Sequence, residues 1–119
     1  MNNYPTITER TEKFAIRIIK ACTYLNASED VARTLSKQLL RSGTSIGANV
    51  HEAQSAQSNR DFINKLEIAL KEARETEYWL KILIKSELVK AELFELLLVE
   101  SQEIKAIIAA SVAKLKNKS

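Results

Sequence analysis

The 119-residue sequence predicts an all-α fold, an antiparallel up-down-up-down four-helix bundle, on three observations. It holds two glycines and one proline, too few to punctuate the many turns of a β-sandwich or barrel. Hydrophobic residues make up 45% of the chain and recur at a 3/4 spacing instead of alternating. Four such stretches are separated by short polar breaks with capping residues, and short connections between long helices favour antiparallel neighbours. The length suits one domain, residues 1–119.

The first helix is expected over about residues 7–25, opened by Thr6-Ile7-Thr8-Glu9, a Thr-x-x-Glu capping box. At 100° per residue, Phe14, Ala15, Ile18, Ala21, Cys22 and Leu25 share a core face. Arg10, Lys13, Arg17 and Lys20 form a basic stripe beside it, and Ile16 and Ile19 widen the apolar arc on the other side. Asn26-Ala27-Ser28-Glu29-Asp30 then supplies a cap and first-turn acids for a second helix over about residues 28–57. Its core stripe is Val31, Ala32, Leu35, Leu39, Ser42, Ile46, Val50 and Ala53, and Arg33, Lys37 and Arg41 stand on the opposite face. Gly43 and Gly47 weaken this helix by roughly 1 kcal/mol each. The apolar period passes through them in phase, so the helix is expected to run unbroken.

Ser58-Asn59-Arg60-Asp61 caps a third helix, expected over about residues 59–87 with Phe62, Leu66, Ala69, Leu70, Ala73, Leu80 and Ile84 inward. Charge pairs at i,i+4, such as Glu67 with Lys71, support it. The fourth helix, over about residues 92–116, is expected to bury Leu93, Leu97, Ile104, Ile108, Val112 and Leu115. The boundary before it has neither glycine nor proline to mark it.

One cysteine, Cys22, excludes an internal disulfide and reads as a small buried hydrophobe. The sole histidine, His51, falls on a polar face and leaves no Cys/His zinc set and no nucleophile–base arrangement. No enzyme activity, metal or cofactor is therefore expected. The glycines lack the Gly-Lys-Ser/Thr ending of a phosphate loop and fit close approach of a neighbouring helix, from the same or another subunit. Glu77 is an acid on a core face, expected to lie opposite Gln38 and Ser42 as a structural buried polar group. Without a Glu-x-x-His motif it does not belong to a di-iron site.

No apolar run approaches the roughly 18 residues of a membrane span, and the charged N-terminus is unlike a signal peptide, so a cytoplasmic protein is expected. Ile68, Trp79 and Ile82 form a second apolar surface on the third helix. With Ile16, Ile19, Leu40, Gly43 and Gly47 they nominate a homo-oligomer interface. The net charge of +3 is modest, yet all seven bases of residues 1–58 fall on two acid-free stripes. Arg10, Lys13, Arg17, Lys20, Arg33, Lys37 and Arg41 are accordingly expected to hold RNA or DNA phosphates. The competing reading is a scaffold that recruits a protein partner, with charge serving solubility.

Two longer motifs complete the sequence reading. Arg41-Ser42-Gly43-Thr44-Ser45-Ile46-Gly47-Ala48-Asn49-Val50, and Ala69-Leu70-Lys71-Glu72-Ala73-Arg74-Glu75-Thr76-Glu77-Tyr78-Trp79-Leu80 with Asp61-Phe62 and Lys65-Leu66 before it, give the chain its most specific signature. With them the chain resembles, over nearly its whole length, the bacterial four-helix-bundle family encoded in intervening sequences of 23S ribosomal RNA genes. The resemblance implies a small cytoplasmic bundle assembled as a ring, typically a homopentamer. The accessory protein of diversity-generating retroelements is similar in fold and oligomer, and uses a basic surface to bind nucleic acid and reverse transcriptase. No catalytic residue is implied.

Overall fold

The structure, a computed structural model, describes residues 5–28 and 30–118. It is all-α, with four helices and no strand among the described residues: α1 (Ile7–Asn26), α2 (Asp30–Ala53), α3 (Asn59–Lys85) and α4 (Ala91–Asn117). The Thr6 hydroxyl accepts from the Glu9 amide at 3.1 Å and donates to the Glu9 carboxylate at 3.1 Å, so the expected capping pair opens α1. Ser58 accepts from the Asp61 amide at 3.1 Å and so caps α3, and the Asp61 carboxylate reaches back to accept from the amide of Gln57, the residue before the cap, at 3.4 Å. The capping role given to Glu29 lies outside the described residues.

The second helix ends at Ala53, four residues short of its expected end, because residues 54–56 form i→i+3 turns before the Ser58 cap takes over. The unmarked boundary after α3 has its own device. Glu87 adopts φ 60°, and the Leu88 amide donates to the Leu83 carbonyl at 3.2 Å. A glutamate thus occupies the left-handed position that glycine usually takes at the end of a helix.

Pairings across the seams run in opposite senses along the chain, as antiparallel neighbours require. Glu52 meets Lys65, and farther along Ser42 meets Thr76. Each helix touches its two neighbours around the bundle, and the α1–α4 seam is the thinnest. The core holds Phe14, Ile18, Leu25, Leu39, Ile46, Leu80, Leu83, Phe94, Leu97, Ile104 and Ile108, each almost completely buried. Two expected core positions are exposed, and Ile84, like Leu35, Phe62 and Leu115, is half-buried against the core. Val31 is exposed one position from buried Ala32, and Leu93 is exposed while its neighbour Phe94 is buried. Ile84 is half-buried with Leu83 inward instead. Val31, Leu93 and Ile84 each lie near a helix end, where the last turn can rotate its stripe.

The glycines seat α1 on α2. A Cβ on Gly43 would stand 2.9 Å from Ile18 Cγ2, and one on Gly47 would stand 3.1 Å from the Thr11 carbonyl oxygen. Their close approach is made within one chain, where Gly43 is buried and Gly47 half-buried. No described helix is long and apolar enough to cross a membrane.

Candidate nucleic-acid interface

The seven nominated cations divide sharply once their neighbours are in place. Arg10 turns toward α4, where Nη2 donates to Glu100 Oε1 at 2.7 Å, Nε donates to Oε2 at 3.3 Å, and Glu103 lies 3.6 Å away. That carboxylate contact raises the guanidinium pKa above its already high value. Arg41 reaches across to α3, pairing with Glu72 at 3.4 Å and with Glu75. Arg33 pairs with Asp30 on its own helix. These three have acid partners within the chain, on adjoining helices for Arg10 and Arg41 and at the start of its own helix for Arg33.

Lys13, Arg17, Lys20 and Lys37 are exposed and form no ion pair among the described residues. The first three stand on one flank of α1 and span about 10 Å at 1.5 Å per residue. Arg17 and Lys20 border a notch of about 230 Å³ with Ala21 and Tyr24 of α1 and Leu93 and Leu97 of α4. Lys37 lies apart on the outer side of α2. The unpaired members of the nominated seven therefore form one short cluster and one outlier.

Glu77 is the principal buried acid, only 9% exposed. Its Oε1 accepts from Lys105 at 2.6 Å, and its Oε2 accepts from Gln102 at 3.1 Å and lies 3.1 Å from Lys81 Nζ. The Lys105 bond, with help from Gln102 and Lys81, holds its pKa down to about 2 against the opposing effect of burial. Its partners are on α4 and on its own helix, which corrects the expected position near Gln38 and Ser42. The group facing Ser42 is Thr76, whose Oγ1 is 3.0 Å from Ser42 Oγ. A threonine among charged neighbours carried no signal of burial in the sequence. Ionised and fully bonded, this carboxylate has no proton to give near neutral pH.

The chemistry elsewhere is similarly quiet. Burial pushes the Cys22 thiol up to about 11, and it donates to the Ser36 carbonyl at 3.4 Å. His51 is exposed. Among the described residues no cluster of three or more His, Cys, Asp or Glu could hold a metal ion.

The nominated interface residues also separate. Ile16, Ile19, Leu40 and Ile68 are exposed, at 46%, 48%, 37% and 37%. Trp79 and Ile82 are half-buried. The indole N–H donates to Glu75 at 3.0 Å and the ring packs edge-on against Tyr78, so the outward tryptophan of the sequence reading is corrected to a side chain held along the α2–α3 seam. A larger surface escaped nomination. On α4, Leu93, Leu96, Val99 and Ile107 are all exposed, Leu96 by 62%. The run Leu96-Leu97-Leu98-Val99 carried the signal, since four consecutive apolar residues cannot all face one core.

The two signature motifs can now be read physically. Arg41 and Ser42 of the first grip Glu72, Glu75 and Thr76 of the second, while Gly43 and Gly47 seat α1. Glu77 reaches on to α4. They form an assembly code for the bundle, and the comparisons with known proteins follow it. Comparison with curated proteins found no match. A crystal structure of a protein of unknown function from the S23 ribosomal protein family of Bacteroides thetaiotaomicron is 47% identical, with 90% of this chain and 98% of that one covered and a TM-score of 0.83. The family model described as 23S rRNA-intervening sequence protein matches residues 6–110. With the clasped motifs inside that span, the chain belongs to the 23S rRNA-intervening sequence protein family.

Proposed function

We propose that this protein is a non-enzymatic, cytoplasmic homo-oligomer that binds structured RNA or DNA through phosphate contacts from Lys13, Arg17 and Lys20. One observation carries the reading: these three cations stay free on one flank of α1, while Arg10 of the same stripe is neutralised by Glu100. Cations with no internal partner keep their full charge for an external anion. The ionised Glu77 and the buried Cys22 support a role without catalysis.

The test is binding of a labelled RNA hairpin and a DNA duplex, followed by fluorescence anisotropy. Three phosphate contacts on a duplex give a salt slope near −2.7, so raising salt from about 50 to about 200 mM weakens binding about fortyfold per engaged protomer. The combined Lys13→Glu, Arg17→Glu and Lys20→Glu variant is expected to lose binding while keeping its helical content. Binding that ignores salt, or survives the triple reversal, refutes the proposal. A nuclease-treated preparation that retains one protein partner and no nucleic acid supports the scaffold reading instead.

A further inference from the structure

The seam between α1 and α4 sets up a pattern and then breaks it. At 100° per residue a step of seven returns to nearly the same helix face, so Arg10, Arg17 and Tyr24 share one edge of α1, and Glu100 and Leu93 share one edge of α4. Arg10 meets Glu100 at 2.7 Å, and the two helices run in opposite directions. Seven residues on along α1 and seven back along α4, about 10 Å away, Arg17 therefore stands opposite Leu93. The first arginine has a carboxylate across the seam, and the second has a leucine. Arg17 is exposed and forms no ion pair among the described residues. Glu92 and Glu95, the acids next to Leu93 in the chain, lie about 100° and 160° round α4 from it, so neither shares its edge.

At this unpaired arginine the seam opens into the notch of about 230 Å³. Ala21 and Tyr24 line it from α1 and Leu93 and Leu97 from α4, with Arg17 and Lys20 at its border. Leu97 is almost completely buried and forms the floor, while Tyr24 and Leu93 are exposed. An apolar cavity of about 150 Å³ holds a benzene ring. The notch therefore has room for a flat system of one or two rings and none for a long acyl chain. An aromatic wall, an apolar floor and two cations at the border supply what a single nucleotide needs, a ring face to stack on and positive charge for its phosphate.

We infer that this notch takes one unpaired base of the bound nucleic acid, stacked on Tyr24, with the phosphate of that nucleotide on Arg17, where the seam lacks its carboxylate. The inference rests on the phosphate-binding part of the proposed function and names the form of nucleic acid that is recognised. Lys13 and Lys20, about one turn to either side of Arg17, extend the positive charge along the strand. A base inside an uninterrupted duplex has both faces covered by its neighbours and cannot reach Tyr24. A bulged base is already unpaired, so it enters without the cost of opening a pair. The protein therefore prefers a duplex interrupted by an unpaired base over a continuous one.

The experiment compares three labelled duplexes by fluorescence anisotropy, each made in RNA and in DNA: a continuous duplex, the same duplex with a single bulged adenosine, and the bulge with an abasic residue in place of that adenosine. The bulged duplex is expected to bind about tenfold more tightly than the other two, within the range for stacking one base on an aromatic side chain. Tyr24→Ala is expected to bring that ratio down to about one. Leu93→Glu sets a carboxylate opposite Arg17, as Glu100 stands opposite Arg10, and is expected to weaken the bulged duplex about tenfold or more. Both positions are exposed, so helical content by circular dichroism is expected to be unchanged. Equal binding of the three duplexes overturns the notch and leaves the phosphate contacts standing, whereas no binding to any of them overturns both. A preference that the abasic bulge retains, or that survives Tyr24→Ala, shows that a bent backbone and not a stacked base is recognised, and overturns the inference. Undiminished binding by Leu93→Glu also counts against it.

Discussion

Replacing Glu77 by glutamine gives the most informative test of how the bundle is held together. The carboxylate is 9% exposed and bound by Lys105, Gln102 and Lys81, with its pKa held near 2 instead of the usual 4.5. That difference corresponds to about 3 kcal/mol in favour of the folded state near neutral pH. Glutamine keeps the shape and part of the hydrogen bonding but not the charge. Lys105 and Lys81 are 33% and 45% exposed, so both can turn to water and neither is left bare in the core. The expected loss for Glu77→Gln is therefore about 3 kcal/mol, not the larger cost of a stranded buried ion.

The pH dependence identifies the cause. The unfolded carboxyl takes up its proton near pH 4.5, whereas the folded one resists until about pH 2. The contribution is complete above the higher value and is lost as pH falls through the lower. Urea unfolding at fixed protein concentration, followed by circular dichroism, is expected to show a deficit for the variant of about 3 kcal/mol at neutral pH. Near pH 2.5 it should shrink to under about 1 kcal/mol. A deficit of constant size across that range would show that packing, and not the ionised contact, sets the cost.

Two further outcomes concern the backbone. Alanine at Gly43 or Gly47 gains about 1 kcal/mol of helix propensity, yet its methyl strikes the fully buried, stiff Ile18 or the Thr11 carbonyl, which costs about 1–3 kcal/mol. Each substitution is expected to destabilise by about 1 kcal/mol in denaturant titrations, and a stabilised variant would refute the seating role. Glu87→Gly relieves the left-handed backbone at φ 60° and is expected to stabilise by about 0.5 kcal/mol. A loss of stability would show that the glutamate side chain contributes more than its backbone costs.

The helices, their order and most of the core were legible because apolar spacing and caps are local properties. Thr6 with Glu9 and Ser58 with Asp61 announce helix starts within four residues, and both caps are in place. What each charged side chain does was less legible, because its partner lies in another part of the chain. Arg10 and Glu100 are ninety residues apart, and Arg41 meets acids thirty-one and thirty-four residues away. A stripe free of acids on its own helix says nothing about the acids of the helix beside it. Glu77 was recognised as a buried acid from its place between Ala73 and Leu80, yet its partners on α4 depended on the relative axial level of α3 and α4. The apolar outer face of α4 was visible in Leu96-Leu97-Leu98-Val99 as an excess over what one core face can bury.

The thin seam between α1 and α4 has a consequence for how the molecule opens. α1 is fixed along its α2 edge by the Gly43 and Gly47 contacts, while the α4 edge is crossed by the Arg10 bonds to Glu100 and opened by the small notch at Tyr24 and Leu93. Parting these two helices uncovers less buried surface than parting α2 from α3, which are joined through Arg41, Ser42, Glu72, Glu75 and Thr76. The lowest-energy partial unfolding therefore separates the first helix of the chain from the last, and the central α2–α3 hairpin is the unit whose amides exchange slowest with solvent.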